Sequence, residues 1–249
     1  MKLLAMEFYK CRRRKILLIC LGVLAAQILW FSAYLSRQDK SDLAYGWMLM
    51  LYNLSMIDAI MLPISVATLA SRNCETEHKG ATLKLLETAV TPGQLYNAKL
   101  AWGALILAAL LTVRSILFLV IGKAAAFPGP VPYGRFLLFT GLSWAVSMVV
   151  YALQQGLSLR FANQAVPLVC GIFGSFIGLM SMLFPQWVQR CVPWGYYGLT
   201  SLSAMYWEEA TRYTEFYWRW PAVPDLLLLG LWGVLFLTIG RTLFVRKEV

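Results

Sequence analysis

Residue types able to do acid–base, nucleophilic or metal chemistry are few in this chain, and their spacing builds no catalytic constellation. There is one histidine, His78, so a His-ligated metal centre or a Ser–His dyad has no base to draw on. The five cysteines, Cys11, Cys20, Cys74, Cys170 and Cys191, form no Cys-x-x-Cys pair. Most fall in or near apolar runs, where a thiol behaves as a small hydrophobe. Glu208-Glu209-Ala210-Thr211-Arg212 is one residue short of a Glu-Glu-x-x-x-Arg signature and lacks the histidines such a site needs. Gly122-Lys123 is followed by Ala124, and no glycine stands five positions before Gly122, so there is no Walker A loop. The sequence therefore reads as non-enzymatic. Any ATP that drives it is hydrolysed on another chain.

Two further charges, Asp58 and Arg114, stand alone inside long apolar stretches. An unpaired charge there costs about 2.5–3.5 kcal/mol on insertion scales. Each is expected to face the protein interior, a partner subunit or a wet cavity. A direct pair between them and a substrate contact by Asp58, with Tyr52 and Asn53, both stay open at this level.

The elements that must position these residues are membrane spans. Of 249 residues, 59% are hydrophobic and 14% charged, with mean hydropathy +0.63. Soluble domains run at about 45–50% apolar and about 25% charged. This excludes a soluble enzyme, a disordered chain and a disulfide-stapled secreted domain. A porin-type barrel would alternate apolar and polar residues instead of running apolar. The expected fold is all-α and polytopic, with six spans at 16–36, 43–70, 100–121, 136–159, 165–184 and 224–245 and no separate soluble domain. The basic start resembles a signal peptide, but its apolar run exceeds an h-region of about 7–15 residues, so it is expected to stay as an uncleaved first span.

Charge sets the orientation. The chain has 22 Lys+Arg against 12 Asp+Glu, a net charge of +10. With both termini in the cytoplasm, fourteen bases fall on inner segments and seven on outer ones. That bias is the positive-inside pattern of a multi-pass protein, here expected in a bacterial cytoplasmic membrane. It accounts for the basic balance without nucleic acid. Residues 1–15 alternate Leu3, Leu4, Met6, Phe8 and Tyr9 with Lys2, Glu7 and Lys10 before the run Arg12-Arg13-Arg14-Lys15. The Arg run also suits a direct hold on anionic membrane lipid.

The most informative segment lies between the second and third spans. Thr91-Pro92-Gly93-Gln94 is a capping box that starts a helix at about Pro92, with Tyr96 and Lys99 expected at the water boundary. Ahead of it, Leu83, Leu86 and Val90 recur at helical spacing with Lys79, Lys84 and Glu87 elsewhere on the turn. This predicts a short amphipathic helix held at the membrane surface between two spans.

These residues carry a resemblance. Glu75 and Glu77, then Lys79-Gly80-Ala81-Thr82-Leu83-Lys84-Leu85-Leu86, then Thr91-Pro92-Gly93-Gln94-Leu95-Tyr96-Asn97-Ala98-Lys99 resemble the coupling-helix region of ABC-2-type exporter permeases. The chain departs from that pattern by Ala81 between Gly80 and Thr82 and by Thr91-Pro92 where Pro-Ile/Val-Ser is usual. Within the group it is most similar to the E- and G-type permease subunits of lantibiotic self-protection transporters. The resemblance implies a coupling helix over 75–90, with Glu75, Glu77, Lys79, Gly80, Leu83, Leu86 and Pro92 engaging an ATPase. It implies an interfacial helix carrying Glu7, Lys10, Arg12, Arg13 and Arg14, and short re-entrant or surface helices over 185–223. It further implies a pair of ABC ATPase subunits that hold ATP and Mg, with no cofactor on this chain. A second, different permease or a second copy completes the assembly, and a cationic antimicrobial peptide is the cargo. The same scaffold also fits export of a drug, a lipid or a bacitracin-like peptide; a non-transporting membrane scaffold is the rival from another class.

Gly171, Gly174 and Gly178 in the fifth span put small residues on one face, suited either to the interface between two permeases or to packing on the chain's own helices. The 185–223 segment is dense in aromatics, including Trp187, Trp194, Tyr196, Tyr197, Trp207, Trp218 and Trp220. Such rings belong at headgroup level. Glu208, Glu209 and Glu215 are placed to meet a cationic peptide, although the outer face as a whole is near neutral.

Overall fold

The computed structural model describes residues 2–12, 16–38, 42–79, 90–208 and 213–246. Helix α1 is Lys2–Arg12 and α2 is Ile16–Leu35. A 3-10 turn at Asp42–Tyr45 leads into α3, Gly46–Lys79. Then come α4, Pro92–Ala124, and α5, Tyr133–Arg160, followed by α6, Ala165–Ser181. Short helices α7, Gln186–Arg190, and α8, Tyr196–Leu199, precede the last long helix, α9, Val223–Val245.

Five of these helices, α2, α3, α4, α5 and α9, are long and apolar enough to cross a membrane. The expected fifth span, 165–184, is shorter: α6 stops at Ser181, 17 residues, at the lower bound of about 17–25 for a span. A turn through Met182–Phe184 and then Pro185 ends it, because proline cannot continue the hydrogen-bond ladder. The molecule is an all-α polytopic bundle with one small β addition.

Helix α3 is its axis. It packs against α2, α4, α5 and α6, and 72% of its apolar stretch is buried, against 17% for α2 and for α9. The outer helices therefore offer their apolar flanks to lipid, while α3 is enclosed except along a stripe through Tyr52, Met56, Ile60, Ile64 and Thr68. Ala59, Leu62, Val66 and Leu69 of α3 meet Leu107 and Leu111 of α4 and Val146 and Val150 of α5. Towards the far end, Leu49, Leu51 and Leu54 meet Phe31, Phe118, Phe136 and Phe139. At about 1.5 Å per residue, the 34 residues of α3 reach about 51 Å, well beyond a hydrocarbon core of about 30 Å. No glycine or proline interrupts Ser71–Lys79, so the helix runs on into polar sequence, with Arg72 and Glu75 paired one turn apart at 3.4 Å. This corrects the expected start of the coupling helix at residue 75. Residues 75–79, His78 included, extend α3 and do not open a separate surface helix.

The segment between α6 and α9 departs most from expectation. Short helices α7 and α8 are present, but beyond them lies an antiparallel hairpin, β1 Ser203–Glu208 and β2 Tyr213–Trp218. Its register runs from Ser203 opposite Trp218 to Glu208 opposite Tyr213. Aromatic side chains favour the pleated surface, and an isolated hairpin needs something to pack on. Phe216 supplies that anchor: it is buried, with its ring 5.7 Å from Tyr52 and 6.4 Å from Tyr45.

Candidate functional site

The end of the bundle where α1 docks is held by a buried polar network. Lys99 Nζ donates to Glu7 Oε2 at 3.0 Å, and neither side chain is exposed at all. The same ammonium donates to the Asn73 carbonyl at 2.9 Å. Asn73 Nδ2 donates back to the Lys99 carbonyl at 3.2 Å and to the Tyr151 hydroxyl at 3.0 Å. Lys10 reaches the other Glu7 oxygen at 3.4 Å. Segments α1, α3, α4 and α5 are thus tied together where α3 leaves the apolar zone. Gly103 makes room for the Tyr151 ring, since a Cβ there would collide with it.

Sequence reasoning placed Lys99 and Tyr96 at the water boundary and Glu7 on the polar side of a surface helix. All three are instead buried. Among the described side chains of α1, Phe8 and Tyr9 are the exposed ones. A charge with a partner can enter the interior, and periodicity within α1 does not reveal that partner. The chain feature that could have pointed to it is a lone glutamate on α1 against a lone lysine at the mouth of a span.

Of the residues expected to meet an ATPase, Glu75, Glu77 and Lys79 belong to the last turns of α3. Gly80, Leu83 and Leu86, with most of the expected 75–90 helix, lie outside the described residues, as do Arg13 and Arg14. Arg12 ends α1. Pro92 is the first residue of α4, as the capping box predicts, but Thr91 makes no side-chain cap. The first helical bonds run instead from the Gln94 and Leu95 N–H groups to the Thr91 carbonyl, at 3.0 and 3.1 Å.

A second polar centre sits midway along the bundle. Arg114 Nη1 donates to both Asp58 oxygens, at 2.5 and 2.6 Å. Gln27 Nε2 and Ser143 Oγ complete the carboxylate at 3.2 Å each. The Arg114 guanidinium also lies over the Phe139 ring, 5.3 Å from its centroid. Four helices, α2, α3, α4 and α5, contribute one polar group each. Of the two readings left open for Asp58, the geometry is that of an internal pair, and the helpers Gln27 and Ser143 carry no sequence signal of their own. Pro63, a little over one turn along α3, removes one N–H from that helix's ladder.

The glycines of α6 face the chain's own elements. A Cβ at Gly171 would strike Ala67 of α3, and Cβ atoms at Gly174 and Gly178 would strike Trp194, the latter at 2.8 Å. Arg190 of α7 pairs with Asp225 of α9 at 2.6 Å, closing the far end. Nearer the Asp58–Arg114 pair, Tyr197 is buried and shares a 3.0 Å hydrogen bond with Ser147. Burial pushes its phenol well above the ordinary range, opposed by that hydrogen bond. Between α3 and the hairpin lies a cleft of about 340 Å³ whose walls include Tyr52, Ser55, Met56, Met182, Gln189 and Arg219. Asn53 is buried and Asp58 is not among the residues lining the cleft. Among the described residues no three His, Cys, Asp or Glu side chains gather as a metal site.

The arrangement consists of buried polar knots at two levels, a long central helix, and a cleft beside it. Comparison with known families gives one finding, a match of residues 3–178, more than half of the chain, to the model described as ABC-2 family transporter protein. No curated protein matches the chain.

Proposed function

This chain belongs to the ABC-2 family of transporter proteins and is the membrane permease of an ABC exporter; on that premise we propose that it expels a lantibiotic or similar cationic antimicrobial peptide from the bacterial cytoplasmic membrane, protecting the cell that carries it. Members of this family are the transport component and associate with ABC ATPases. The proposed assembly has two ATPase subunits holding ATP and Mg, this chain without a cofactor of its own, and a second permease that is either different or another copy. Both termini face the cytoplasm, where the basic N-terminal run meets anionic lipid.

In the proposed cycle, ATP binding draws the ATPases together and displaces the segment around 79–90. The observation that carries this is the continuity of α3 from the far end of the bundle to Lys79, with α1 pinned beside it by Glu7 and Lys99. A push delivered near Lys79 moves a stiff rod and not a slack loop. Helices α3 and α6 then reorient relative to the second permease, carrying with them the helices tied to α3, and the cargo is released outward. Glu75, Glu77, Lys79, Gly80, Leu83, Leu86 and Pro92 are the proposed contacts to the ATPase. The lantibiotic assignment is supported by the style of the 75–99 sequence.

The test is to delete the coding sequence and measure sensitivity to a panel of lantibiotics beside bacitracin and unrelated drugs. Heightened sensitivity to at least one lantibiotic, restored by the wild-type chain and not by Leu83→Asp/Leu86→Asp, is the expected result. Unchanged sensitivity to every lantibiotic removes the cargo assignment, and purification in gentle detergent without any ATPase removes the coupling assignment.

A further inference from the structure

A second cleft, also about 340 Å³, opens at the end of the bundle opposite α1 and has no part in the cycle above. Its walls include Tyr45 from the 3-10 turn, Trp47 from the start of α3, Pro130 and Pro132 from the α4–α5 connection, Arg135 from α5, and Trp218 from the hairpin. The Arg135 guanidinium lies 4.3 Å from the Trp218 ring centroid and 4.9 Å from that of Trp220. Two indoles therefore occupy its faces. A planar cation stacked in this way keeps its N–H edge for in-plane acceptors. Arg135 Nη1 is buried and has no hydrogen-bond partner. Trp47 is 5% exposed, and its Nε1–H also lacks a partner.

Two side chains in the cleft wall thus carry donors without acceptors, and a buried unpaired donor is costly unless a ligand reaches it. Among the described residues no carboxylate lines the cleft, and two donors call for an acceptor and not for a cation. What fits is a ligand rich in acceptors and carrying negative charge. The surroundings specify where it comes from. Trp220 is 66% exposed and Tyr133 57%, and Lys123 lies over the Tyr133 ring at 5.5 Å. Exposed amphipathic rings with a flanking amine mark the headgroup level of a bilayer. Proline and aromatic walls suit the glycerol and upper acyl region that a phosphate-bearing lipid brings with it.

We propose that the Arg135–Trp47 cleft binds the phosphate headgroup of a membrane phospholipid, with the phosphate oxygens accepting from Arg135 Nη1 and Trp47 Nε1. A lipid seated there bridges α3, the α4–α5 connection and the hairpin, which are distant in sequence. It is a site for a fixed lipid and not for the exported cargo, so it stands or falls independently of what the transporter expels.

The test uses the full-length protein purified in detergent and stripped of lipid, with binding of single lipids followed by native mass spectrometry. The probes are phosphatidylglycerol, phosphatidylcholine, diacylglycerol and inorganic phosphate alone. Both phospholipids are expected to be retained and diacylglycerol lost. Arg135→Gln is expected to weaken phospholipid retention about tenfold or more, as loss of a charge-assisted hydrogen bond implies, while Arg160→Gln, an equal charge change at the other end of α5, leaves it unchanged. Arg135→Lys, which keeps the charge but not the planar edge, should fall between them. Equal retention of diacylglycerol by the wild-type protein overturns the proposal without recourse to any variant, as does wild-type retention by Arg135→Gln. Full displacement by millimolar inorganic phosphate alone assigns the cleft to free phosphate and overturns the lipid.

Discussion

Glu7 and Lys99 illustrate what a buried ion pair demands of its residues. Neither side chain touches solvent, and the network around them satisfies the ammonium from two sides. Removing one partner strands the other, which costs about 3–5 kcal/mol, whereas replacing both with apolar side chains of similar volume is often near neutral. Lys99→Met should therefore lower the thermal midpoint of the detergent-solubilised protein sharply. Glu7→Leu with Lys99→Met should recover most of the loss, and a double variant no better than the single one would show that the pair does not carry the stability of this end. Tyr197 gives a different signature at the same scale. Its phenol is raised by burial, so the folded state holds that proton more tightly than the unfolded chain. The associated stability is complete below the unfolded pKa of about 10 and is lost as pH rises beyond it. Tyr197→Phe should flatten the fall in midpoint between pH 9 and 11, measured against the wild type. An unchanged alkaline slope would place the sensitivity elsewhere.

At the scale of elements, the contrast among glycines is testable because their surroundings differ so much. Gly174 and Gly178 let α6 close on Trp194, while Gly141 has nothing within 4 Å of where a Cβ would stand. Overpacking a tight contact costs about 1–3 kcal/mol or more. Gly174→Leu should lower the midpoint by several degrees and expose Trp194 to quencher, while Gly141→Ala should be neutral or slightly stabilising. The same contrast shows what the sequence revealed. The long helices were readable because each is a run of apolar residues of the right length, a signal that survives without knowledge of neighbours. The hairpin was not, because Tyr206, Trp207, Phe216, Tyr217 and Trp218 fit a headgroup belt as well as a strand. Nor was the continuation of α3 past residue 70, since apolar length marks where a membrane ends and not where a helix does. Glu7, Lys99, Gln27 and Ser143 escaped for a related reason: each matters through a partner tens of residues away, and one chain read linearly does not supply the pairing.

The whole molecule combines those knots into a claim about motion. Ties at Glu7–Lys99–Asn73–Tyr151 and at Gln27–Asp58–Arg114–Ser143 each join four helices, at the α1 end and midway along the bundle. A body pinned at two levels along its axis is stiff against tilting of one helix past another, because sliding would break charged hydrogen bonds in a low-dielectric interior. Motion in a transport cycle should then be of α1 to α5 together, against a partner permease, and not among them. Cysteines at positions 7 and 99, on a background lacking the five natural ones and joined by a reducible bis-methanethiosulfonate spacer of about the length of the two side chains they replace, place a crosslink across the α1–α4 contact. If these helices move as one body, crosslinking that pair should leave cargo export and its ATPase stimulation within about twofold of the reduced protein, because the spacer only replaces a tie already present. Export abolished by crosslinking and restored by reduction would mean that α1 swings relative to α4 in each cycle. The Glu7–Lys99 pair would then be a latch that opens and not a fixed joint.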